Sequence, residues 1–241
     1  MRYGVFGDIH GNLEAFQKVI SSYKREAIDR LICVGDIVGY GANPRECIEE
    51  IKKIHALSIC GNHDQASIGL LNIGYFNYAA KAAIGWTRGV LEKEDIEYLR
   101  SLKLILEEPG FSVVHGSLDR PGSFMYILGK YSSYSSFYKM EKELLFVGHS
   151  HVPGMFCMKD GLADNIPGCS VKIEKGTKYI INVGSVGQPR DKDPRASYCI
   201  YDTDKKTIEI KRTPYDVKTA KSKVLKKGLP KILGNRLERG L

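Results

Sequence analysis

Three short apolar runs early in the chain stop in the same way. Residues 2–7 (RYGVFG), 30–36 (RLICVGD) and 55–64 (HALSICGNHD) each reach a glycine that is followed at once by Asp8, Asp36 or Asn62. Stretches of helical periodicity separate them. Leu13, Phe16, Val19 and Ile20 mark one over about residues 11–24. A second, NPRECIEEIKKI (43–54), opens with Asn43 as N-cap and Pro44 at the first helical position. Buried strands alternating with helices favour parallel βαβ units. In open sheets of that kind ligands bind beyond the carboxyl ends of the strands, which is where these polar residues fall.

The rest of the chain fits one α/β domain of 241 residues. Helical patterns cover 75–88 and 92–101. Strand patterns then dominate at 104–107, 111–115, 144–148, 155–158, 171–174, 178–183, 197–202 and 207–212, with YDTDKKTIEI (201–210) read as a hairpin. A helix over 216–227 is stopped by Gly228, and a short one opens at Pro230. Residues 217–241 hold eight Lys/Arg against one acid. They therefore carry +7 of the net +8 and form a basic helical appendage. No run of about 18 apolar residues is present, so a membrane span is not expected. The N-terminus lacks a secretory h-region. The six cysteines are scattered with no C-x-x-C, a usage that suits a reducing cytoplasm.

Five of the six histidines lie at such strand ends. GDIHGN supplies Asp8 and His10, GNHD supplies Asn62, His63 and Asp64, VVHGS supplies His115, and FVGHSHVP supplies His149 and His151; His55 alone lies elsewhere. A spacing of two on extended backbone puts both side chains of D-x-H or H-x-H on one side. Strands about 4.8 Å apart can bring such ends around a metal pair about 3.5–4 Å wide. Carboxylate, imidazole and amide oxygen without thiolate suit Mn, Fe, Zn, Co or Ni. Two divalent ions set against Asp8 and Asp36 leave a positive excess. That excess attracts a phosphate ester and favours hydroxide from a shared water near neutral pH. A shuffled chain of this composition would carry G-H-x-H about 0.015 times and G-N-H-D about 0.001 times, so the set as a whole is not accidental.

The order D-x-H, G-D, G-N-H-D, H, G-H-x-H resembles the calcineurin-like metallophosphoesterases. GDIVGYGANP, VHGS, GHSHVP, INVGSVGQPRDKDPRASY and LPKILGNRLERG extend the likeness to bacterial and archaeal phosphoesterases of about this length. The resemblance implies a four-layer α/β/β/α sandwich and a metal-dependent phosphoric ester hydrolase, a phosphodiesterase or phosphatase, with two metal ions. Mn is the ion expected to serve in vitro. By motif, one ion would take Asp8, His10 and His151 and the other Asn62, His115 and His149, with Asp36 bridging. His63 would touch the phosphate and protonate the leaving oxygen, with Asp64 orienting it. Cys60 and Val183 depart from the pattern, which has Arg and Pro there; neither is a ligand position.

Substrate contacts are less sharply marked. Arg190 and Arg195 sit in GSVGQPRDKDPR, where an Arg fork could hold a phosphate oxygen or a second phosphate; a surface pair with Asp191 or Asp193 is the alternative. Tyr40 and Asn43 could wall the pocket or simply turn the chain into its helix. The stretch 124–140 (FMYILGKYSSYSSFYKM) reads as helix core or as a lid that stacks on a base. Val217, Ala220, Val224 and Leu225 form an apolar stripe, which makes the C-terminal lysines a solvated face rather than a nucleic-acid patch. The expected substrate is a small phosphate ester or nucleotide. Hydrolysis of dinucleoside polyphosphates, a nuclease and a non-catalytic scaffold on the same fold are the alternatives. Filled ligand positions argue against the scaffold.

Overall fold

A computed structural model describes residues 1–241. β1 (Arg2–Phe6), α1 (Leu13–Lys24), β2 (Arg30–Cys33), α2 (Pro44–Lys53) and β3 (Leu57–Ser58) form the opening βαβαβ unit. Its strands are parallel, with Val5 beside Ile32 and Ile32 beside Leu57. Helices α3 (Asn62–Ser67), α4 (Tyr78–Val90) and α5 (Lys93–Ser101) follow. The second half runs β4 (Ile105–Glu108), β5 (Phe111–Val114), α6 (Lys130–Lys139), β6 (Leu144–Val147), β7 (Gly154–Lys159), β8 (Leu162–Ile166), β9 (Ser170–Lys172) and β10 (Lys178–Asn182). β11 (Ala196–Asp202), β12 (Thr207–Thr213), α7 (Val217–Lys226) and α8 (Lys231–Leu237) complete it.

The strands make two six-stranded sheets, in the orders β3-β2-β1-β11-β12-β9 and β4-β5-β6-β10-β7-β8. The two-residue period of a strand divides their side chains between two cores. Val5, Ile32 and Cys199 of the first sheet pack on Phe111, Phe146 and Ile181 of the second. Their neighbours Phe6, Cys33 and Tyr198 face the other way, onto Phe16 and Val19 of α1 and Ile48 and Ile51 of α2. Leu145, Val147 and Ile180 face outward onto Phe137 of α6. The result is helix, sheet, sheet, helix: a four-layer sandwich. Phe146 is fully buried between the sheets, and cutting it back to Ala would cost about 3–5 kcal/mol.

Two elements were not visible in the sequence pattern. β8 reads LADNI, with one buried residue, and is held by its register with β7. α3 falls where a loop was expected after the third strand. Asp64 accepts from the Gly61 N–H at 3.0 Å and starts a helix there. α6 lies within the stretch read as helix core, although its serines and aromatics give little apolar periodicity. The stretch 124–140 is divided: Ile127, Phe137 and Met140 are core, whereas Met125, Tyr126 and Tyr131 are exposed. Asn43 precedes α2 but does not cap it, because its amide donates to Glu46 Oε1 at 2.7 Å. On α7, Ala220 and Val224 are buried as the stripe requires, but Leu225 is 41% exposed. His55 is exposed, just beyond the end of α2.

Candidate metal centre

The carboxyl ends of the parallel strands β1, β2, β3, β5 and β6 open on one edge of the sandwich. The segments leaving them carry Asp8 and His10, Asp36, Asn62 and His63 at the start of α3, His115, and His149 and His151. All eight side chains are buried to 6% exposure or less. Asp8, His10, Asp36, His149 and His151 all have positive φ, between 50° and 67°. Non-glycine residues rarely adopt this conformation, and it persists only where surroundings enforce it.

Backbone contacts enforce it here. Asp8 Oδ2 accepts from the His149 N–H at 3.0 Å and Asp36 Oδ1 from the His63 N–H at 2.8 Å. Each carboxylate thus spends one oxygen on a neighbouring strand end and keeps Asp8 Oδ1 or Asp36 Oδ2 for the interior. Gly61 and Gly148 permit this close approach. A Cβ at either position would run into the Asp36 or the Asp8 carboxylate.

The imidazoles are oriented in the same way. His10 Nδ1 lies 3.1 Å from Val38 O, His115 Nδ1 2.8 Å from Val34 O, and His151 Nδ1 2.6 Å from Gln188 O. A carbonyl can only accept, so each Nδ1 carries a proton and each Nε2 is turned inward, where the neutral ring offers a lone pair. His10 and His151 Nε2 are 3.0 Å apart. His151 Nε2 is 3.2 Å from Asp8 Oδ1, and His10 and His115 Nε2 are 3.5 and 3.3 Å from Asp36 Oδ2. Asp8 Oδ1, Asp36 Oδ2, Asn62 Oδ1 and His115 Nε2 are buried without a hydrogen-bond partner. Buried polar atoms need a partner, and a convergent set of this chemistry fits divalent cations. The candidate ligands fall into two overlapping groups, Asp8, His10, Asp36 and His151 on one side and Asp36, His115 and His149 on the other.

Electrostatics agree with a cation site. Burial opposes the charge on Asp36, but His115 and His63 hold its carboxyl well below the usual range. Burial likewise disfavours protonation of His115, and the Asp36 carboxylate overrides it, lifting the imidazole to about 10. Burial and His115 push His149 down to about 3; burial and Arg190 push His151 down to about 4.

The calcineurin-like phosphoesterase superfamily domain matches residues 1–206. The chain belongs to this superfamily. An uncharacterized protein of Methanocaldococcus jannaschii is 42% identical over 97% of this chain and 96% of its own length. The crystal structure of a metallophosphoesterase from Sphaerobacter thermophilus superposes with a TM-score of 0.87 at 36% identity, covering all of both chains. A symmetrical bis(5′-nucleosyl)-tetraphosphatase of Aromatoleum aromaticum is 32% identical, over 46% of this chain and 42% of its own.

Within this phosphoesterase frame the remaining predicted residues take different places. His63 packs its ring against Tyr40 (4.4 Å), His10 (4.8 Å) and Phe76 (5.2 Å), and its buried Nδ1 has no partner. Asp64 does not orient it. Both oxygens of Asp64 accept backbone N–H groups, from Asp36, Ile37, Val38 and Gly61 at 2.8–3.1 Å. Burial and Asp36 push this carboxyl up to about 7, but four donors with nothing to accept a proton hold it as carboxylate, fastening the Asp36 loop. Arg190 faces the centre: its Nη2 donates to Gln188 Oε1 at 2.9 Å and reaches the Tyr40 hydroxyl at 3.4 Å. Arg195 forms the surface pair, held by Asp193 at 2.7 Å. Tyr40 lies 4.7 Å from the His10 ring, and Asn43 stays with Glu46 at the start of α2.

A cleft of about 340 Å³ adjoins the cluster. Asn62, His63 and His149 form its floor, and Tyr75, Phe76, Phe124 and Tyr126 contribute aromatic walls. Tyr126 stacks on His149 at 4.0 Å and 13°. The aromatic richness of 124–140 is the only signal of this wall in the sequence and points to no one residue. Asn182, whose amide clamps Gly148 O and Ser150 Oγ, and Ser185, which donates to Asp8 O, also brace the centre. Both belong to the INVGS stretch, so the signal was present without a role attached.

Proposed function

We propose that the chain is a metal-dependent phosphoric ester hydrolase whose cluster holds two divalent ions. The observation that carries this reading is the convergence of Asp8 Oδ1, Asp36 Oδ2, Asn62 Oδ1 and His115 Nε2, buried and unpartnered. Asp8, His10 and His151 would hold one ion and Asn62, His115 and His149 the other, with Asp36 common to both. When bound, such ions supply hydroxide from water near neutral pH and positive charge for the phosphoryl oxygens.

The protein's own part is orientation and proton delivery. Carbonyls of Val34, Val38 and Gln188 keep three Nε2 atoms turned inward. His63 stands at the cleft floor without being needed as a ligand. Burial depresses its pKa well below the usual value, and a phosphate anion within reach would raise it. It would therefore be protonated mainly with substrate present. As water oxygen attacks phosphorus and the P–O ester bond breaks, His63 gives its proton to the departing oxygen and regains one from solvent. Arg190 is placed to bind a phosphate oxygen.

A second, narrower reading is cleavage of dinucleoside polyphosphates. The aromatic cleft beside His149 favours it, as a base can stack there, and so does the partial similarity to symmetrical bis(5′-nucleosyl)-tetraphosphatases. Loading the protein with Mn, Ni, Co, Zn or Mg and screening mono- and diesters, dinucleoside polyphosphates and phosphopeptides tests both. Turnover of an aryl phosphate ester that disappears in Asp36→Asn is expected. No turnover with any metal sinks the hydrolase reading. Tyr126→Ala should raise KM for a dinucleotide about tenfold, from the loss of one stacked base, with little change for an aryl ester.

A further inference from the structure

We infer that a pocket walled by Arg190, Arg236 and Arg239, which adjoins Tyr40 through Arg190, binds a second phosphoryl group of the substrate. This rests on the hydrolase reading and narrows it to substrates bearing two or more phosphates, such as nucleoside polyphosphates. The cavity measures about 350 Å³ and has three guanidinium groups and no acidic side chain in its lining. Other arginines nearby are neutralised: Arg195 by Asp193 and Arg212 by Asp191. Arg190 is not, and its buried Nε has no partner. Glu238, the one acid between Arg236 and Arg239 in sequence, is taken by Lys221 at 2.8 Å. Three adjacent cations left unpaired repel one another, and an anion with several oxygens relieves this through charge-assisted hydrogen bonds.

The fold brings these arginines together by a specific clip. The Lys192 N–H donates to Gly240 O at 2.8 Å, tying the chain end to the loop that carries Arg190. Gly240 has φ 63°, and a Cβ there would lie 2.7 Å from the Asp193 backbone, so glycine suits the contact. Leu233 and Leu237 are buried and anchor α8 behind it. Arg190 joins the pocket to the centre, because it also touches Tyr40, whose ring packs on His10 and His63. The basic C-terminal segment thus completes a site, which its lysine-rich composition alone did not suggest.

The test uses the full chain in two forms. In the metal-free form, calorimetry with inorganic tripolyphosphate should show binding that weakens at least about tenfold in R236Q/R239Q, with unchanged melting temperature. R239Q alone, at an exposed position, should weaken it measurably and serves if the double variant does not fold. In the Mn-loaded form, the ratio of kcat/KM for a dinucleoside tetraphosphate over p-nitrophenyl phosphate should fall about tenfold or more in the same variants. Tripolyphosphate binding equal to wild type in folded variants overturns the pocket, whatever the esterase activity. If no ester is turned over yet binding drops in the variants, the hydrolase reading falls and the phosphate pocket stands.

Discussion

His10 and His151 meet with their Nε2 atoms 3.0 Å apart while the Nδ1 of each is committed to a backbone carbonyl. Two neutral imidazoles so oriented turn lone pairs toward each other, and a shared cation converts the repulsion into two bonds. Metal binding should therefore stabilise the fold directly. At a hundredfold excess over Kd the gain is about 2.7 kcal/mol, or a rise in Tm of about 5–10 °C for a chain of this size. Thermal melts with Mn²⁺ and with EDTA measure it. His151→Ala should shrink the shift; an equal shift in that variant would place the ion elsewhere.

Asp36 contacts both halves of the cluster: Oδ2 lies 3.5 Å from His10 Nε2 and 3.3 Å from His115 Nε2. Asp36→Asn keeps the shape and removes the charge common to the two halves. Metal content by elemental analysis should fall, and hydrolysis should drop by more than the about 100-fold that loss of an outer partner costs. Retained turnover of an aryl phosphate would contradict a bridging role.

Much of this centre was legible because its residues stand at fixed offsets after apolar runs: Asp8 after β1, Asp36 after β2, Asn62 after β3. Parallel βαβ connectivity then carries those ends to one edge. What the pattern could not show depends on contacts between segments far apart in the chain. Asp64 looked like a partner for the adjacent His63, yet its oxygens serve backbone N–H groups 26–28 residues away. Arg236 and Arg239 read as part of a charged tail, and only the link from Lys192 to Gly240 puts them beside Arg190. Tyr126 sits in a segment of mixed core and surface residues whose periodicity gives no direction.

The metal-free protein should have a bell-shaped stability profile with pH. His149 and His151 are held neutral, at about 3 and about 4, chiefly by burial. The unfolded chain protonates them near 6.5. Below that pH the unfolded state binds more protons, so stability falls as the pH drops from about 6.5 toward 4. His115 acts oppositely. Asp36 lifts it against burial to about 10, so its contribution is whole below about 6.5 and is lost as the pH rises toward 10. Urea unfolding between pH 4.5 and 8.5 should peak near pH 6.5, and the decline above that peak should vanish in His115→Ala. Because a ligand imidazole must be neutral, metal binding at pH 7 should also release the His115 proton, visible as buffer-dependent calorimetric heat.

His63 offers the sharpest test of the proposed chemistry, because it lies in the cleft floor and belongs to neither group of candidate ligands. His63→Ala should keep the metal-dependent rise in Tm. Its kcat should fall by the about 10²–10⁴-fold typical of a lost general acid. The loss should be steepest for alkyl esters, whose leaving oxygen needs a proton, and mildest for nitrophenyl esters, whose leaving group departs unaided. A plot of log kcat against leaving-group pKa should therefore be steeper in the variant than in the wild type. Parallel lines would mean that His63 binds or positions the phosphate without delivering a proton.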